Sequence, residues 1–90
     1  ELDEWFATTH FETGMHYVRR KAYDSALIYL RAVVTEYPNT DMARRSMLEM
    51  VRVFRLPVMN YQEDAEEICA ALRGGFPTDP EVQATCRQPS

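Results

Sequence analysis

Few residues in this chain carry chemistry, and their spacing decides what they could do. The candidates are His10 and His16, Cys69 and Cys86, and an acidic run of Glu63, Asp64, Glu66 and Glu67. A zinc site on one helix wants histidines at i and i+4, or cysteines paired as CxxC. His10 and His16 are six apart, about 120° around a helix, which assigns His10 to a packed face and His16 to solvent. The cysteines belong to no CxxC pair. They read either as a disulfide tying the last helix to its neighbour in an oxidising compartment or, more simply, as two small apolar residues. Neighbouring carboxylates on a helix diverge, so the acidic run reads as a solvated helix start favoured by the dipole. No Gly-rich phosphate loop, nucleophile elbow or catalytic carboxylate pair occurs. The expectation is a protein that is not an enzyme, with no catalytic residues, cofactor or metal. A small enzyme or metal carrier assembled by tertiary proximity is the remote alternative. Met42, Met47 and Met50 fall on or beside one helix face; core filling is the plainer role, an adaptable binding surface the other.

Composition narrows the class further. Ninety residues, 46% hydrophobic and 27% charged with three glycines, suit one small helical domain that buries roughly 60% of its unfolded surface. The net charge of −4 gives no basis for nucleic-acid binding, which needs a concentrated basic surface. The local basic clusters, Arg19-Arg20-Lys21 and Arg44-Arg45, read as a helix end and an exposed face. No run approaches the roughly 18 apolar residues that span a bilayer, so no transmembrane segment is expected. The chain begins at Glu1 without a leader. It reads as a processed protein or a fragment, with any lipid anchor outside this sequence.

These residues must be positioned by helices, and apolar periodicity predicts five. The first carries Trp5, Phe6, His10, Gly14, Tyr17 and Val18 on its apolar face and ends near Arg20. The second has a stripe of Tyr23, Ala26, Leu27, Leu30, Val33, Val34 and Tyr37. Ile28 and Tyr29 widen that stripe, which predicts contact on more than one side, and Pro38 ends the helix. Asn39, Thr40 and Asp41 offer N-cap chemistry for a third helix with Ala43, Met47, Met50, Val51 and Phe54 inward, stopped by Pro57. The fourth runs from about Tyr61 to Leu72, burying Tyr61, Ala65, Ile68, Cys69 and Leu72, with Gly74-Gly75 as a left-handed cap. Thr78, Asp79 and Pro80 start a short fifth helix. The predicted layout is a single domain over 1–86: hairpin one at about 3–37, hairpin two at about 41–75, a capping helix at about 79–86, and a loose tail at 87–90.

A repeat underlies this layout. Ala26 and Pro38 are answered by Ala65 and Pro77, and Tyr-Pro at 37–38 by Phe-Pro at 76–77. Hairpin one resembles the tetratricopeptide (TPR) pattern of about 34 residues. Gly14, Tyr17, Ala26, Leu30, Val33 and Pro38 fall on its signature positions; Ala65 and Pro77 do so in hairpin two. Small residues at the crossing let two helices approach, and large ones fill the flanks. Lys21 departs from the pattern, standing at a turn position where glycine is common. The fold class is therefore all-α: two TPR-like antiparallel helical hairpins, an α-solenoid fragment, with a C-terminal cap. More narrowly, the segment 10–40 and the helix at 42–54 resemble BamD-type outer-membrane assembly lipoproteins and related periplasmic TPR proteins. That resemblance implies a scaffold or accessory subunit of an extracytoplasmic, membrane-associated complex that binds proteins on a concave face. Phe11, Met15, Val18 and Arg19 are its candidates in hairpin one, and Arg44, Arg45, Glu49 and Arg52 in hairpin two. The alternative is a permanently bound accessory subunit of a different membrane complex, such as an electron-transfer or secretion assembly.

Overall fold

Helix boundaries follow the caps and prolines of the sequence. The computed structural model describes residues 2–87, so the expected tail lies outside the described residues except for Arg87. Five α-helices follow in order: α1 (Leu2–Arg19), α2 (Tyr23–Glu36), α3 (Asp41–Phe54), α4 (Gln62–Gly75) and α5 (Pro80–Thr85). No strand occurs among the described residues. α1 with α2, and α3 with α4, form two antiparallel hairpins, and α5 caps the second.

Local chemistry explains each boundary. Asp3 and Glu4 occupy the first turn of α1, and His16 and Arg19 the last, matching the helix dipole. α1 ends in a Schellman motif: Ala22 N–H donates to the Tyr17 carbonyl and Lys21 N–H to that of Val18, both at 2.9 Å. Lys21 takes a φ of 62° there. The Thr40 hydroxyl caps α3 by accepting from Ala43 N–H at 3.3 Å. Asp79 Oδ1 caps α5, accepting from Glu81 N–H at 2.8 Å and Val82 N–H at 3.4 Å.

The repeat is closer in the backbone than in the side chains. At a constant offset of 39 residues, Lys21 and Asn60 both take positive φ, 62° and 54°. Ala22 (φ −92°, ψ 72°) matches Tyr61 (−96°, 74°), and Tyr37 (−130°, 55°) matches Phe76 (−136°, 60°). The helices between them are each 14 residues long. Their fully buried positions coincide: Ala26 with Ala65, Leu30 with Cys69, and Val33 with Leu72. The N-caps Thr40 and Asp79 keep the same offset. α5 therefore stands where a third hairpin would begin.

Packing is that of a stack. Each helix packs on the next, α1 also meets α3, α3 also meets α5, and α2 and α4 do not touch. A β-carbon at Gly14 would lie 3.0 Å from Leu30 Cγ and Cδ2, so glycine is what lets α1 and α2 cross this closely. α3 is the central helix, burying Ala43, Ser46, Leu48, Met50, Val51, Val53 and Phe54. The Ser46 hydroxyl is buried with no hydrogen-bond partner among the described residues, a deficit of about 1–3 kcal/mol.

Three expectations change, and one open alternative is decided. Gly74 and Gly75 are helical, neither with positive φ. α4 runs to Gly75 because its stop is Pro77, which forces Phe76 out of helical geometry. Tyr61 precedes α4 and is half exposed, since the 39-residue register gives it the place of Ala22. Ile28 is exposed, as are Trp5 and Phe6; α2 does meet two helices, α1 and α3, but Ile28 faces neither, and α3 is the helix that meets the most others. Last, the two cysteines are bonded to each other.

Candidate partner-binding surfaces

The α1–α3 face begins with Phe11, which is buried against α3 with the Arg45 guanidinium 4.9 Å from its ring centroid. That cation–π contact fixes which side of α1 looks at α3. Met15 and Val18 follow one and two turns later on the same side, half-buried and packed against the core. Arg19 is exposed with no ion pair among the described residues. This face therefore joins an apolar strip to two cations, Arg19 and Arg45, that form no ion pair among the described residues. The repeat residues lie behind it: Gly14, Ala26, Leu30, Val33 and Ala65 are buried, Tyr17 is half-buried, and Pro38 and Pro77 sit exposed in the turns.

Arg44, Glu49 and Arg52 have other neighbours. Arg44 reaches Asp41, Asp79 and Glu81, each at 3.2 Å. Burial would lower its pKa, but the hydrogen bonds with Glu81 and Asp41 and the charges of Asp41 and Asp79 raise it above its ordinary value. Arg52 pairs with Glu49 and Glu81 and donates to Thr85 Oγ1 at 3.2 Å. These side chains seat α5. Arg55 and Arg73 complete the seat, donating to the Thr85 and Cys86 carbonyls at 2.7 and 2.8 Å and satisfying a helix end that lacks intrahelical partners. Sequence reasoning missed Arg55 and Arg73. The one available signal was Glu66, two turns before Arg73 on α4 and the partner of both arginines.

The disulfide completes this end of the stack. Cys69 on α4 bonds Cys86 with Cα atoms 5.6 Å apart, and Val82 is buried beside them. At the opposite end, α1 and α2 expose a row of rings. Phe6 stacks on Tyr37, Tyr17 stacks on Tyr29, and His10 sits between Tyr29 and Tyr37. His10 Nδ1–H donates to the Phe6 carbonyl at 2.9 Å, so this imidazole is part of the packing. His16 is exposed with its ring edge-on to Tyr17. Leu2 and Trp5 remain 73% and 62% exposed beside that row.

The acidic run divides by partner: Glu66 pairs with Arg55 and Arg73, while Glu63, Asp64 and Glu67 are exposed. No group of three His, Cys, Asp or Glu that could hold a metal occurs among the described residues. No helix among them is long and apolar enough to cross a membrane. No family model, curated protein or solved structure matches this chain.

Proposed function

We propose that this chain is a non-catalytic protein-binding module of the TPR type. In this reading it is a scaffold or accessory subunit in an extracytoplasmic, membrane-associated complex, resembling BamD-type proteins. The observation that carries the reading is the α1–α3 face, where Phe11 beneath Arg45 continues into Met15 and Val18, with Arg19, unpaired among the described residues, at its end. Apolar residues there supply area, and the arginines supply orientation. The Cys69–Cys86 bond supports an oxidising compartment.

The test is isolation from the native source under mild conditions, comparing the tagged chain with an Arg19→Glu/Arg45→Glu variant. The expected result is a stoichiometric protein partner that the variant loses while its helical circular dichroism is unchanged. A variant that keeps the partner removes the concave-face assignment, and a free, stable monomer in the native extract removes the accessory-subunit reading.

A second reading, permanent attachment to a different membrane complex, is favoured by Leu2, Trp5 and Phe6. Large apolar residues exposed side by side are the mark of a surface that meets another one.

A further inference from the structure

On the side of α3 away from its seat for α5, the gap between α2 and α4 forms a groove of about 300 Å³. Its floor is apolar: Val34 from α2, Met47, Met50 and Phe54 from α3, and Ile68 from α4. The groove exists because α2 and α4 do not meet. Its banks carry opposite charge, Arg31 on α2 and Asp64 and Glu67 on α4.

These charges differ from those on the α5 side. There, each of Arg44, Arg52, Arg55 and Arg73 is paired with at least one carboxylate. Arg31, Asp64 and Glu67 form no ion pair and no side-chain hydrogen bond among the described residues. A partner that meets them gains charge-assisted contacts without breaking any in this chain. Beneath them, Met47 is half-buried, and an unbranched thioether adapts to an incoming side chain at little steric cost.

We propose that this groove binds an amphipathic helix of a partner protein. The helix would place aliphatic residues on the Met47–Phe54 floor, lysine or arginine toward Asp64 and Glu67, and a carboxylate toward Arg31. Helix-in-groove recognition uses anchors at i and i+4, and flanking charge fixes which way the helix lies. The site is separate from the α1–α3 face and stands whether or not that face binds.

The probe is a synthetic 16-residue helical peptide with leucines at i and i+4, lysines along one flank and glutamates along the other. It is titrated into the intact, oxidised chain carrying labelled methionine methyl groups. Met47 and Met50 signals should shift, while Met15, on α1, stays fixed as the reporter of the other face. Asp64→Lys/Glu67→Lys should weaken binding about tenfold. Adding Arg31→Glu to that pair should restore binding to a peptide with its lysines and glutamates exchanged. The assignment is overturned if the peptide leaves the Met47 and Met50 signals unmoved, or shifts Met15 instead. An affinity that ignores both charge exchanges also overturns it. Sedimentation that rises with protein concentration and is abolished by Asp64→Lys/Glu67→Lys would put a second copy in the groove and equally defeat the proposal.

Discussion

Lys21 sits at φ 62° at the end of α1, where a β-carbon crowds the following carbonyl and costs roughly 1–2 kcal/mol. Its counterpart Asn60, at 54°, has a side chain that tolerates this region. Glycine would remove the clash but gives the unfolded chain more freedom. The net expectation for Lys21→Gly is a gain of about 0.5–1 kcal/mol, read as a rise in melting temperature of several degrees. The same change at Ala22, whose φ is −92°, relieves nothing and should destabilise. Equal effects at the two sites would mean that the strain assigned to Lys21 is absent. The sequence marked Lys21 as the odd residue of the turn because glycine is common there, and the backbone supplies the reason. Neighbouring Gly74 and Gly75 were misleading for a related reason: glycine permits a left-handed turn but does not require one, and Pro77 had already set the stop.

At the level of elements, α5 depends on things outside itself. Six residues cannot hold a helix alone, because nucleation is unfavourable and short helices are marginal in water. Asp79 starts it, arginines on α3 and α4 hold both ends, and the Cys69–Cys86 bond closes a short loop behind it. Closing a loop of that size is worth about 3 kcal/mol in the chain-entropy account. Reduction, or Cys69→Ala/Cys86→Ala, should lower the melting temperature by on the order of 10–20 °C, while the helix signal of α1 to α4 persists at low temperature. An unchanged melting temperature would show that the arginine seat alone holds the cap.

The hairpins were legible in the sequence because their information is local: apolar stripes, Thr40, Pro38 and Pro77. The α5 seat was not, since pairs such as Arg44–Asp79 and Arg73–Cys86 depend on how hairpins stack. The candidate site divides the same way. Phe11, Met15 and Val18 came from the repeat resemblance rather than from the apolar periodicity of α1, which missed Phe11 and Met15, and they share one side in the structure. Arg44, Glu49 and Arg52 needed the register of α3 against α5, which periodicity does not carry, and they turn out to serve the cap. The groove was hinted at only by Met47 and Met50. That α2 and α4 stay apart above those methionines is a property of the stack and of no single helix.

Across the whole molecule, among the described residues, each helix packs on the next helix in the chain or the next but one, so the stability of the stack is close to a sum of adjoining terms. The two ends of that sum are unequal. One is closed by the bonded pair Cys69–Cys86; the other leaves Leu2, Trp5 and Phe6 facing water. In amide hydrogen exchange the chain should behave as a zipper stitched at one end. The first turns of α1 should open at little cost and α3 close to the global unfolding energy, with α4 held nearer to α3 than α1 is. Uniform protection across the helices would contradict this picture. A partner that covers Trp5 and Phe6 would then slow exchange most in α1, at the end the disulfide does not reach.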